Sequence, residues 1–430
     1  MKKIILITAL GLAMLFNHQA IAQNSYVWLH GLNDNWNCWT VYNNAFTPVA
    51  GTRLGYSSNN SIVGIANTLA PSVTSRPNTI IIGHSLGGLV AREIESRRNP
   101  NIRGIITIGT PHQGAYIQNS IAAGKQKTFL SNTVNKFDNA VVLSTAALIG
   151  PFSLVKAAVT VIVSGSVYGL SEWLLKPYIN SQMADGSQQC EKDMQVSSAY
   201  MNNIEPRSVN VPILTFAAEE DRWSIARLAY CGKEKTVLQT NANANTDGKF
   251  DIPGYNYTKA AQVGSYSISG IHASCAVAAI ALGWWNPYSW FAAGLNVTAG
   301  AYWLTVGNYI TSGLDYDHSV LVGSYAYEKR TYCYEVLTCG EMELMQKVIQ
   351  PNDCITEYMC QTYTVAVPCS HDGIVSTYTQ QLDRSKGSNV IWANETIKGA
   401  NHMEEFNHKN TREEFRKAIE DGYYHPFFKR

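Results

Sequence analysis

The stretch TIIIGHSLGGLVAREIES (79–96) decides the fold. Thr79 to Ile82 is an unbroken β-branched apolar run, the composition of a strand buried on both faces. Leu86, Leu89, Val90 and Ile94 then recur at helical spacing, which predicts a helix over 86–97. Between the two sits Ser85, in the only G-x-S-x-G pattern of the chain (Gly83, Ser85, Gly87). Chance alone would give about 0.15 such matches in a chain of this length. The pattern therefore draws its meaning from the strand before it and the helix after it. A serine on such a turn carries its Oγ beyond the sheet edge. The helix N-terminus beside it offers free N–H groups and a dipole suited to a developing oxyanion. The glycines let strand and helix approach without a Cβ clash. Ser85 is the expected nucleophile, and the N–H of Leu86 one expected oxyanion donor.

Working outward, Tyr26 to Leu29 is a short β-rich run ending in His30-Gly31. A loop at the end of that first strand would bring the N–H of Leu32 in as the second oxyanion donor. Ile102 to Ile108 and Val211 to Ala217 are further buried-strand candidates. Strand and helix alternating in this way predict βαβ units, hence an α/β fold with a mostly parallel central sheet and flanking helices. Thr362 to Val367 and Ser388 to Ala393 resemble the last strands, and Asn410 to Glu420 a closing helix.

A nucleophilic serine needs an acid and a base, here later in the chain. Asp372 in CSHDGIVS (369–376) follows an apolar run and precedes a glycine, and His402 in GANHMEEFNH (399–408) lies on a loop before the closing helix. Asp221 in LTFAAEEDRW also follows a strand and is the alternative acid; His408 is the alternative base. His272, His318 and His371 read as core or solvated imidazoles.

The chain has 430 residues and a net charge of +1, with no Lys/Arg cluster, which argues against a nucleic-acid partner. Its first 22 residues have a basic start, an apolar run from Ile4 to Phe16 and the small-residue site Ala20-Ile21-Ala22, the pattern of a signal peptide. An exported protein, secreted or periplasmic, can keep disulfides. Five of the nine cysteines fall between 333 and 369, with Cys333/Cys339 and Cys354/Cys360 at matched spacing. A disulfide-stapled subregion suits them better than a metal site, and an odd total leaves at least one thiol free or paired to another chain.

The residues WLHGL (28–32), GHSLGGLVAR (83–92), TPHQG (110–114), DGIV (372–375) and NHMEE (401–405) resemble the α/β-hydrolase fold, and more closely the exported bacterial triacylglycerol lipases and esterases. The resemblance covers about half the chain, roughly 25–120 and 362–420. It implies Ser85 as nucleophile, Asp372 as acid, His402 as base and Leu32 and Leu86 at the oxyanion hole, with no cofactor required. Members of the family often bind a structural calcium through an aspartate shortly after the histidine. Here that spot holds Glu404, and no other ligand is assignable.

The expected organisation is a signal peptide (1–22) and one hydrolase domain (23–430). That domain carries a helical cap insertion (120–210) and an apolar, Cys-rich insertion (222–361). From Ala260 to Leu314 there is no Asp, Glu, Lys or Arg. A membrane span over 273–304 is disfavoured by Asn286-Pro287 and Asn296. A helical hairpin over the site mouth, with transient contact to a lipid surface, is the favoured reading. The expected partner is a lipid or ester substrate. A phospholipase, acyltransferase or amidase would use the same triad, and a non-catalytic binding protein would not need it.

Overall fold

The computed structural model describes residues 24–46, 51–147, 187–220, 227–228, 231, 235–241, 253–283, 287–339, 354–368, 370–382 and 391–430. The proposed signal peptide and Asp221 lie outside these residues, as does most of the span from 140 to 186.

Six strands form the central sheet: β1 (Ser25–Leu29), β2 (Thr52–Leu54), β3 (Thr79–His84), β4 (Ile102–Ile108), β5 (Ile213–Glu219) and β8 (Ile391–Lys398). Their order is β2-β1-β3-β4-β5-β8, and every neighbouring pair is parallel. Alternate side chains leave opposite faces of a strand. Val27, Leu29, Ile81, Ile105 and Ile213 pack on one face against the helices α1 (Ile62–Val73) and α2 (Leu86–Glu95). Trp28, Ile80, Ile82, Ile106 and Phe216 pack on the other, among Trp39, Tyr42 and Phe415. Both faces are apolar and covered, which is why these strands read as continuous hydrophobic runs.

A helical layer stands apart from the sheet. It contains α3 (Lys125–Ala147), α4 (Pro253–Gly283), α5 (Pro287–Asn308) and α6 (Leu314–Val322). Their buried side chains form one cluster, against which Ile374 and Met403 also pack. Asn296, which interrupts the apolar sequence, is fully buried as a clasp. Its Oδ1 accepts from His272 Nδ1 at 2.8 Å and its Nδ2 donates to the carbonyl of Ala147 at 3.1 Å, while His272 Nε2 meets Ser144 Oγ at 3.0 Å. One polar network thus ties α3, α4 and α5.

Two expectations need correction. Thr362 to Val367 belongs not to the central sheet but to β7 (Cys354–Pro368). This strand pairs antiparallel with β6 (Tyr325–Cys339) in a separate two-stranded ribbon. The last strand of the central sheet is β8 alone, displaced toward the C-terminus of the expected 388–393. The closing helix α7 spans Lys409–Arg416 and continues as a wider turn over Lys417–Asp421.

Replacing Asn296 by Ala leaves His272 and the Ala147 carbonyl without their partner inside an apolar cluster. The expected loss is about 1–3 kcal/mol of unfolding free energy, read by urea denaturation with a probe in the helical layer; an unchanged midpoint would deny the clasp its role.

Candidate active site

Ser85 sits between β3 and α2 with φ 51° and ψ −123°, a backbone conformation uncommon for a residue with a side chain. The contacts around it explain the neighbouring glycines. A Cβ at Gly83 would lie 2.5 Å from the backbone of Gly87, and one at Gly87 would lie 2.5 Å from the Leu29 carbonyl oxygen. The backbone N–H of Ser85 donates to Ile108 on β4 at 2.9 Å. Strand, helix and neighbouring strands are thereby fixed around one serine.

The loops at the C-terminal ends of the strands converge on it. Ser85 Oγ lies 2.9 Å from His402 Nε2, and His402 Nδ1 lies 2.7 Å from Asp372 Oδ2. Carboxylate acceptance fixes the tautomer: Nδ1 carries the proton, and Nε2 accepts from the serine hydroxyl. Asp372 is fully buried, yet well supplied with donors. Its Oδ1 accepts from the N–H groups of Ile374 (2.9 Å) and Val375 (2.7 Å), and Oδ2 accepts from Gln380 Nε2 (3.0 Å). The His402 N–H also donates to the Asp372 carbonyl at 2.8 Å, joining acid loop to histidine loop.

Leu86 is the first residue of α2, so its N–H stands at the helix N-terminus beside Ser85. Leu32 follows the β1 end, where a Cβ at Gly31 would lie 3.2 Å from the Ser85 Cβ. His30 braces this loop by stacking on Tyr56 at 4.0 Å. His408 is not brought to Ser85; it caps α7, its Nδ1 accepting from the Asn410 N–H. His272 is held in the helical layer, and His371 accepts from the Gly373 N–H and packs edge-on to His318.

Two side chains behind the site, His84 and Glu405, lie within the quoted motifs, but nothing in the sequence assigned them a role. His84 donates Nε2–H to the His402 carbonyl at 3.1 Å, with Glu405 Oε2 3.0 Å away. Glu405 Oε1 stands 3.8 Å from His402 Nδ1. Burial, and next the Asp372 carboxylate, push the Glu405 carboxyl well above its ordinary range, which favours its neutral form. His84, His402 and Glu405 bring three ligand-type atoms within 4.8 Å of one another. The protons on His84 and His402 are already committed to neighbouring oxygens, so this cluster is a hydrogen-bonded packet rather than an open metal site.

Glu404 points elsewhere. Its carboxylate pairs with Arg227 Nη2, while Arg227 Nη1 lies 2.9 Å from Glu220 and Nη2 also donates to the Gly399 carbonyl at 2.9 Å. All three side chains are buried. Glu220 is itself tied to the acid loop, its N–H donating to the His371 carbonyl at 2.8 Å. The guanidinium thus holds a cationic place between the Asp372 and His402 loops. A calcium ion does not fit beside Glu404 while Arg227 occupies its carboxylate.

This parallel sheet, with the serine at its strand–helix elbow and acid and histidine on later loops, is the α/β-hydrolase fold. Residues 39–163 match the family described as the PGAP1-like alpha/beta domain. No curated protein shows significant sequence similarity to the chain. Among solved structures it is similar to the mature form of Bacillus licheniformis lipase BlEst2, at 14% identity over 53% of this chain and 78% of that one, with a TM-score of 0.28. It is likewise similar to an extracellular alpha/beta-hydrolase from a Paenibacillus species, at 12% identity over 45% of this chain and 77% of that one (TM-score 0.26). A lipase-esterase related protein from Clostridium acetobutylicum aligns at 12% identity over 48% of this chain and 80% of that one (TM-score 0.25).

Because folding raises the Glu405 pKa, the cost of this group is absent below the unfolded carboxyl range near ~4.3 and grows as pH rises above it. The variant Glu405→Gln, neutral at every pH, is expected to gain on wild type in melting temperature by at least about 2 °C between pH 5 and pH 8. A pH-independent difference would mean that Glu405 is ionised. Arg227→Ala is expected to cost about 3–5 kcal/mol of stability by stranding two buried carboxylates, whereas chelation with EDTA leaves activity and melting temperature unchanged. Loss of activity on chelation would restore the calcium.

Proposed function

We propose that this chain is an exported serine hydrolase that cleaves carboxylic esters of lipids through an acyl-enzyme. The observation that carries this reading is the continuous hydrogen-bonded line Ser85–His402–Asp372 at a strained elbow. His402 Nε2 takes the hydroxyl proton as Ser85 Oγ attacks the ester carbonyl. Asp372 holds the imidazole in the productive tautomer and stabilises the imidazolium. The N–H groups of Leu86 and Leu32 face the carbonyl oxygen as it gains charge. His402 then protonates the departing alcohol, and the same imidazole activates a water to release the acid.

A lipid substrate is supported by the helical layer. It packs onto Ile374 and Met403, neighbours of Asp372 and His402, and its outer side exposes Val277, Trp290, Phe291 and Val297 at 54–68%. The helix segment Lys259–Ala281 is long and apolar enough to cross a membrane by composition, with 39% of its apolar window buried within the protein. Apolar groups shown outward on an uncharged hairpin suit contact with a lipid surface better than with water.

The test is hydrolysis of p-nitrophenyl esters from butyrate to palmitate. Ser85→Ala is expected to lose about 10⁴-fold or more in kcat, and wild type to prefer the longer chains. A preference for butyrate would make the protein a plain esterase. Faster release in the presence of an added alcohol, with the ester of that alcohol as product, would make it an acyltransferase. Equal, negligible rates in both proteins would remove ester hydrolysis altogether.

A further inference from the structure

The strands β6 and β7 pair over fifteen rungs, from Tyr325 opposite Pro368 to Cys339 opposite Cys354. No third strand joins them among the described residues. A ribbon of that length spans roughly 50 Å, and two strands alone are marginally stable at best in water. Its register also sets Cys333 directly opposite Cys360. We propose that two cross-strand disulfides, Cys333–Cys360 and Cys339–Cys354, staple this ribbon.

Directly opposed residues in an antiparallel pair have Cα atoms about 4.5–5.5 Å apart, inside the range of about 4.4–6.8 Å that a disulfide spans. Cys333 and Cys339 are six residues apart, as are Cys354 and Cys360. That even spacing puts all four on one face of the ribbon and both pairs on rungs of the same hydrogen-bonding type. The register also excludes the other pairings. Cysteines six residues apart along a strand are separated by about 20 Å, as are those on different rungs, well past the reach of a disulfide. The same separation rules out one zinc ion bound by all four, since ligand atoms must gather within about 2.3 Å of the metal. Because the spacings match, one register satisfies both bonds, and a slip of one residue would break both.

The remaining cysteines fit this division. Cys190, Cys231 and Cys275 are buried free thiols, and Cys38 is buried too. Cys369, next in sequence after Pro368, lies outside the described residues. Each bond forms by exchange with an external disulfide, that of a dithiol–disulfide exchange protein or of oxidised glutathione. One ribbon thiolate attacks it and expels a thiolate; the facing thiolate then attacks the mixed disulfide and expels the second. Two ribbon thiols lose two electrons and two protons, and the oxidant's disulfide leaves as two thiols. In cells this needs an oxidising compartment, so it rests there on the export part of the proposed function.

The test compares protein recovered from the export route with the full mature chain refolded in a glutathione redox buffer. Both are alkylated without reduction and cut after Glu335, Glu341, Glu357 and Tyr363, which leaves the five cysteines of 333–369 on separate peptides. Mass spectrometry is expected to find the 333–360 and 339–354 linked pairs in both, lost on reduction. Any other connectivity among the four, or four alkylated thiols in the refolded protein, would overturn the ladder. Correct links after refolding but free thiols in the exported-route protein would uphold the pairing and overturn export.

Discussion

The site depends on how closely α2 approaches β1 and β3. The helix enters so tightly that neither Gly83 nor Gly87 could carry a Cβ, each being 2.5 Å from backbone where that atom would stand. The chain turns there through Ser85 at φ 51°, a conformation that costs a residue with a side chain of order 1–3 kcal/mol. Packing against β1 and β4 over-determines the turn and holds it. In return the hydroxyl is raised out of the sheet to meet His402, and the first N–H groups of α2 lie beside it. A relaxed turn would release the strain and lose both contacts.

Around that turn, buried charge is balanced by fixed neighbours rather than by water. Asp372 keeps a carboxylate in the interior because two backbone N–H groups, Gln380 and His402 all donate to it. Glu405, which faces His84 and not an arginine or lysine, instead has its carboxyl pushed well up by burial, toward the neutral form. Glu404 and Glu220 share Arg227. These three solutions to the cost of a buried carboxyl meet around the loops that carry Asp372 and His402. Because the partners are rigid backbone or paired side chains, the dipoles around Ser85 need little rearrangement when charge appears.

What was legible in the sequence follows the range of the interactions involved. The elbow is local: strand, serine and helix occupy one stretch of eighteen residues, and each glycine has a nearby steric reason. The central strands were legible because burial on both faces leaves a continuous apolar run. The ribbon was not. Thr362–Val367 has the β-branched character of any strand, and nothing within it says that its partner is Ala326–Thr331 rather than a strand of the sheet. Arg227 and Glu405 were silent for the same reason. The partner of Arg227, Glu404, lies 177 residues away, and Glu405 meets His84 from a distant strand. Asn296 read as a break in an apolar run; in the fold it is the residue that lets three apolar helices share a polar clasp.

The helical layer joins these scales. Its inner side is one apolar cluster reaching Ile374 and Met403, the first two residues from Asp372 and the second adjacent to His402. Its outer side carries exposed valines and aromatics over a stretch without a single charge. A cap serving only to fill space would keep its solvent face polar. An apolar outer face makes the layer's position sensitive to what it touches. The close packing beneath carries any shift in that layer to the backbone of the acid and histidine loops, since such cores deform little without moving their neighbours. Under a lipid-ester reading, substrate surface and catalytic pair are thus connected through two side chains, Ile374 and Met403, that take no part in the chemistry.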